Sequence, residues 1–244
     1  MHMLPPLDLP EGVLLLITDE LASPSDFLLH KCLLMNSKEA RDSKIIVLSV
    51  SEGLTKWKTV ASRSNLNLTR SLESGGLQFV DVLTHVDPPS PSSDTTGPSL
   101  KPIFDLVLSS IKGSKSPPLI ILDDISSLEW IGFPSLDIIR FVRALNALCA
   151  QNNATFVIRY HIVTPDGPDD TLTSLQQLCS YHIDVRPLSS GRSGAVSGEI
   201  SVYPGPATIV SPNVRTIPRS AALQYRLTDT GAVFFERGTG GGVL

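Results

Sequence analysis

No stretch of this chain carries the glycine pattern of a phosphate-binding loop. None approaches the roughly 18 apolar residues of a membrane-crossing helix. The N-terminus lacks the basic-then-apolar layout of a secretory leader, so the expectation is a soluble, intracellular protein with no membrane partner. Cysteine is scarce: Cys32, Cys149 and Cys179 are odd in number, widely spaced and set in apolar stretches. They read as buried free thiols, and without close Cys/His pairs no metal site and no cofactor are expected. Basic residues are outnumbered, 20 Lys and Arg against 24 Asp and Glu, and the net charge of -4 has the wrong sign for a general nucleic-acid binder acting alone. No G-x-S-x-G elbow occurs, and His30, His85, His161 and His182 share no context that suggests a hydrolase triad. What the chain does have is apolar content, 41% of 244 residues. That suffices for a substantial core and reads as one domain over 1–244.

Apolar runs alternate with amphipathic segments. Val13 to Asp19 is apolar until its closing acid, the look of a strand buried on both faces. Ser23 as N-cap, Pro24 in the first turn and Asp26 as capping-box acid predict a helix to about Met35. Lys44 to Val50 is a second strand, followed by a helix over Leu54–Arg63, and Gly75-Gly76 announces a third strand, Leu77 to Leu83. Residues 86–99 hold Pro88, Pro89, Pro91 and Pro98 among polar residues and are expected to form a mobile surface loop. Leu100, Ile103, Phe104, Val107, Leu108 and Ile111 then recur at helical spacing and lead to a strand, Leu119 to Asp124. Ser126 and Glu129 predict a capping box for a short helix. Pro134 opens a longer one whose apolar face includes Ile138, Phe141, Val142, Leu145 and Leu148, and Ala154 to Ile162 is the fifth strand.

After Thr164 the pattern changes. A helix near Leu172 to Cys179 precedes strands at about His182 to Pro187 and Glu199 to Tyr203. A hairpin follows, in which Leu223, Tyr225 and Leu227 alternate with polar residues, Asp229-Thr230-Gly231 turns the chain, and Val233 to Phe235 returns it. Residues 239–244 are expected to be a flexible tail. Buried strands joined by helices require right-handed crossovers and a mainly parallel sheet covered on both faces. With antiparallel strands added at its C-terminal side, this is an α/β, RecA-like layout, resembling P-loop NTPases.

In such an enzyme the first strand runs into G-x-x-x-x-G-K-[ST], whose backbone N–H groups cradle phosphates while the lysine and hydroxyl serve phosphate and magnesium. Here the link is Thr18-Asp19-Glu20-Leu21-Ala22-Ser23-Pro24-Ser25, with no glycine, no lysine, two acids and a proline that removes a donor. Asp123 and Asp124 stand where a metal-binding carboxylate belongs, a degenerate Walker B position. With no phosphate loop opposite, a helix-capping role explains them better, and substitution of either is expected to alter stability only slightly. Lys56, Lys58, Arg63 and Arg70 gather around Trp57, and Arg215, Arg219 and Arg226 around the last hairpin. These are candidate RNA contacts, although scattered solvated charge is the commoner explanation. Tyr225, Phe234 and Phe235 are the candidate interface residues. Neighbours on a strand point to opposite faces, so one phenylalanine is expected in the core and the other against a partner.

Leu100-Lys101-Pro102-Ile103-Phe104, the Leu119–Asp124 strand with Ile125-Ser126-Ser127-Leu128 and Gly132, the helix Leu136 to Leu145, and the ending Tyr225-Arg226-Leu227 with Phe234-Phe235-Glu236-Arg237-Gly238 together resemble the sixth-subunit family of the Elongator complex. The resemblance runs from the first strand to the C-terminus, the proline-rich loop excepted, and rests on order and spacing rather than on one motif. It implies a non-catalytic RecA-like subunit in a hetero-hexameric ring with subunits four and five, two copies of each. By the same resemblance the ring joins the catalytic Elongator subcomplex, contacts tRNA and supports wobble-uridine modification, in the cytoplasm with the nucleus as a second compartment. Two other readings stay open: a divergent ATPase using Asp123 or Asp124 on magnesium, and a regulatory binding module unrelated to tRNA. Nucleotide binding by the isolated chain tests the first, and failure to co-purify with a ring the second.

Overall fold

The computed structural model describes all residues except 1, 5–6, 40–42, 87–98, 113, 115, 165–166, 168, 192, 209–213 and 239–244. The expected loop over 86–99 and tail over 239–244 therefore lie almost wholly outside the described residues. A two-stranded ribbon, β1 (His2–Met3) with β2 (Leu9–Pro10), precedes the main sheet. The chain then runs β3 (Leu14–Glu20), α1 (Asp26–Glu39), β4 (Ile45–Ser49), α2 (Leu54–Arg63), α3 (Leu68–Glu73) and β5 (Leu77–Asp81). Next come α4 (Lys101–Ile111), β6 (Leu119–Asp123), α5 (Ser126–Trp130), α6 (Ser135–Gln151), β7 (Thr155–Ile162) and α7 (Asp170–Leu178). The last four strands are β8 (Tyr181–Arg186), β9 (Gly198–Pro204), β10 (Leu223–Thr228) and β11 (Gly231–Phe235).

One nine-stranded sheet results, in the order β11-β10-β9-β8-β3-β7-β6-β4-β5. From β8 to β5 every pair is parallel, and β9, β10 and β11 extend the sheet in antiparallel steps. Parallel strands need covering on both faces. Helices α1, α2 and α3 bury Leu28, Leu33, Trp57 and Leu68 against one face, and α4, α6 and α7 bury Ile103, Val107, Val142 and Leu175 against the other. Each such aliphatic side chain contributes roughly 1.5–3 kcal/mol by leaving water. Helix α6 shows how the sequence builds this layer, since Ile138, Phe141, Val142, Leu145 and Leu148 fall on one stripe and are buried. It stops at Asn152-Asn153, where Asn153 takes a left-handed backbone (φ 53) that asparagine tolerates.

The antiparallel strands are fastened to the start of α1 by a close approach. A Cβ on Gly198 would meet Ser23 Oγ at 2.5 Å, the Arg186 carbonyl at 2.7 Å and the Tyr225 ring at 2.8 Å, so only glycine fits there. Ser23 Oγ donates to the Ser197 carbonyl at 3.2 Å. Ser23 is therefore a bridge to β9 rather than the cap of α1, which begins at Asp26, beyond the residues the sequence favoured. Likewise, the expected capping box at Ser126 and Glu129 does not form. Asp124 accepts from Ser126 N, Ser126 Oγ and Ser127 Oγ, and Glu129 turns away to accept from Thr171 Oγ1.

Candidate functional site

The C-terminal ends of β3, β7 and β6 lie side by side, and alternation along each strand sorts their polar residues onto the two faces. Asp19, Asp123, Arg159 and His161 share the α1 side. Arg159, only 6% exposed, comes from the middle strand and reaches the acids of both neighbours. Its Nε lies 2.6 Å from Asp123 Oδ1, and its Nη1 lies 2.8 Å from Asp26 Oδ1 and 3.7 Å from Asp19 Oδ2. The Nε–Oδ1 contact lacks hydrogen-bond alignment, so Asp123 and Arg159 hold each other by charge. Burial raises the Asp123 carboxyl to about 7, with Arg159 pulling the other way and the neighbouring acids adding to the rise. On Arg159 the nearby carboxylates outweigh burial and fix the positive charge.

Asp19 is engaged on both oxygens. Oδ2 accepts from Ser25 N at 2.6 Å and Ser25 Oγ at 2.8 Å, and Oδ1 faces His161 Nδ1 at 2.7 Å. That bond raises the His161 imidazole above its ordinary range against the opposing effect of burial. Asp124 Oδ1 also accepts from His161 N at 3.2 Å, which ties the start of α5 to β7.

On the opposite face Thr18, His182 and Asp184 form a second network. Thr18 Oγ1 donates to Asp184 Oδ1 at 3.1 Å, and with its one proton used there it accepts from His182 Nε2 at 2.7 Å. Burial lowers the His182 imidazole and keeps it neutral. Arg186 Nε donates to Asp184 Oδ2 at 2.8 Å.

The arrangement does not suit phosphate. Where a P-loop protein needs backbone donors and a mobile cation, a covalently fixed guanidinium is locked among Asp19, Asp26 and Asp123. Among the described residues no three His, Cys, Asp or Glu side chains converge as a metal would require. Asp124 plays the capping part that the sequence suggested, whereas Asp123 is the partner of a buried arginine, a role the sequence reading did not give it. A cleft of about 370 Å³ runs along α1 between the end of α2 and the β10–β11 turn, walled by Phe27, Leu34, Val60 and Leu227. A smaller hollow of about 90 Å³ shares Asp26, His30 and Val60 with it and reaches Asp123. His30, half-buried with its ring centroid 4.8 Å from that of Trp57, is lowered to about 4 by loss of water around it.

The other sequence candidates are spread over several elements. Lys56, Lys58 and Arg63 lie on α2 and Arg70 on α3, with Trp57 not among them at the surface but buried against His30 and Phe79. Lys56 is paired with Glu52, and Arg215 with Glu236 at 3.2 Å, while Arg219 is exposed before β10. Tyr225 is 0% exposed and packs on Phe27 with ring centroids 4.7 Å apart, so it belongs to the chain's own core and offers nothing to a neighbour. Phe234 joins the same cluster, and Phe235, half-buried, points to the other face. Cys32, Cys149 and Cys179 are buried and free. Arg159 and His161 were missed. A charged residue inside an otherwise apolar strand was the available signal, because a buried arginine demands carboxylates.

The strand order, a parallel core extended by antiparallel strands, defines a RecA-like protein, and in it Asp19 and Asp123 flank β7 and converge on Arg159. A KaiC-like protein from the archaeon Pyrococcus horikoshii OT3 shares the fold, with a TM-score of 0.67 over 93% of this chain and 91% of that one, at 12% identity. The family model described as Elongation complex protein 6 matches residues 4–229, and the chain belongs to that family. It is 26% identical to the Elongator complex protein 6 of Danio rerio over 96% of this chain and 93% of the relative. Against that of Xenopus tropicalis it is 25% identical over 82% of each.

Proposed function

We propose that this chain is a non-catalytic subunit of Elongator that assembles with subunits four and five into a hetero-hexameric ring. In this reading the ring contacts tRNA and supports wobble-uridine modification carried out by the catalytic subcomplex. One observation carries the non-catalytic part: Arg159 pairs with Asp123 and Asp26 at the place where nucleotide chemistry needs a phosphate cradle. Family membership supports the assembly part. A divergent ATPase is disfavoured by the same arginine, since magnesium on Asp123 has to displace a cation 2.6 Å away.

The test replaces the endogenous sixth subunit in cells with this chain and measures wobble-uridine nucleosides by mass spectrometry, beside calorimetry of the purified chain with ATP. Restored modification and no micromolar ATP affinity are expected. Tight ATP binding abolished by Asp123→Ala, or restored modification without any hexamer, overturns the reading.

A further inference from the structure

Exposed large apolar side chains are ordinarily scattered over a surface. Here they gather at one edge. Among the described residues the open ones are Leu21, Leu83, Trp130, Leu136, Val163 and Leu227. All except Leu227 lie just beyond the C-terminal end of a parallel strand or on the elements that follow it. Leu21 follows β3, Leu83 follows β5 and Val163 follows β7, while Trp130 ends α5 and Leu136 sits in the first turn of α6, both after β6. Because Glu20 pairs with Ile162, Leu21 and Val163 are the next residues of adjacent strands.

Part of this edge is tied together by side-chain bonds. Thr171 donates to Glu129 and bonds Ser135, so the adjoining ends of α5, α6 and α7 are locked together beside Trp130 and Leu136. Trp130 is 73% exposed and Leu21 84%. A tryptophan left in the open is the kind of anchor that carries binding energy when a partner buries it.

Charge narrows the occupant. Among the described residues most cations near the edge are engaged, Lys56 with Glu52, Lys101 with Asp105, Arg140 with Asp137, Arg186 with Asp184 and Glu20, and Arg159 inside the acid cluster, which leaves half-buried Lys58 without an ion pair. Among the described residues Asp170, exposed at the start of α7, has no ion pair, and Asp124, Asp169 and Glu129 receive only N–H and O–H donors. Apolar anchors in a negative field repel nucleic acid. The same edge of a second copy also meets like charge.

We infer that this edge is a docking face for a folded protein subunit whose opposing surface carries an apolar socket ringed by arginine or lysine. The inference rests on the ring reading, in which that occupant is a neighbouring subunit. It is tested by co-expression with subunits four and five, native mass spectrometry and titration of the assembled ring. The Trp130→Ser/Leu136→Ser double variant is set beside Leu21→Ser, Asp170→Lys and the off-edge control Leu227→Ser, and thermal melting checks each fold. The double variant is expected to weaken assembly at least about tenfold, the effect of losing one central anchor. Leu21→Ser should weaken it less, Asp170→Lys should slow association most at low salt, and Leu227→Ser should leave it unchanged. Wild-type assembly by the folded double variant and Leu21→Ser overturns the docking face and leaves the ring reading standing. A wild-type chain that stays monomeric beside both subunits overturns both. Self-association of the chain alone, or tRNA retention lost on Trp130→Ser in a ring that still assembles as the parent does, assigns the edge to another occupant and overturns the inference.

Discussion

Thr18 and Asp19 are consecutive residues on opposite faces of β3, and the polar networks they anchor are stabilised in different ways. On the α7 side a hydroxyl, a neutral imidazole and a carboxylate satisfy one another through directed hydrogen bonds. On the α1 side the acids Asp19, Asp26 and Asp123 surround one guanidinium, held by charge and by one directed bond from Arg159 Nη1 to the partly exposed Asp26. The first network loses one or two directed bonds when one member is removed. The second leaves uncompensated buried charge, which costs far more than the pair contributes when intact. A strand end can therefore carry a mild polar cluster and a severe one a single residue apart.

Removing the guanidinium is the strongest way to break this contrast. Arg159→Met keeps much of the side-chain bulk and leaves the acids without their cation. The expected loss is about 3–5 kcal/mol at neutral pH in urea unfolding, shrinking toward pH 5 as carboxyls take up protons. An Arg159→Met protein as stable as its parent would show that the cluster is satisfied by something else.

A smaller loss is expected across the sheet. Thr18→Val preserves shape and removes the donor to Asp184 and the acceptor of His182, at a cost of about 1–3 kcal/mol. If unfolding experiments give Thr18→Val a larger penalty than Arg159→Met, the contrast is reversed.

The smallest effect is a difference in pH response. His161 is raised by its bond to Asp19, so its contribution is fully present below the unfolded value of 6.5 and fades as pH rises through the folded one. His30, lowered to about 4 by burial, works in the other direction: between 6.5 and 4 the unfolded chain takes the proton first and stability falls. His161→Gln should thus cost most at acid pH, and His30→Gln should flatten the acid loss. Urea stability of both variants from pH 5 to 8 decides the matter, and profiles parallel to the parent's remove any role for these histidines.

The strands and long helices were legible because burial on both faces leaves continuous apolar runs, and α2 was bounded to the residue. Helix α3 was missed. It spans six residues, is capped by Asn67 accepting from Arg70 N, and has too few turns for a period to show. The third strand was drawn too long, since Val82–Thr84 turns into a 3-10 helix. At the site, the sequence exposed the missing phosphate loop and the capping role of Asp124, both local properties. It did not expose what Asp123 touches, because Arg159 reaches it from another strand. Substituting either acid is for the same reason expected to cost more than the slight change the sequence suggests, since one holds a buried arginine and the other accepts four N–H and O–H donors.

The clamp at Gly198 bears on the order in which the molecule is made. Ser23 is joined to Ser197 across 174 residues and to Tyr225 across 202, among the longest separations a chain of this size can close. Such contacts slow folding because so much chain must be restrained before they form. While a ribosome is still producing the middle of the protein, Phe27 has neither Tyr225 nor Phe234 to pack against. The first helix then waits half-covered until Tyr225 and Phe234 have emerged, so its apolar surface stays open to water through the synthesis of about two hundred residues.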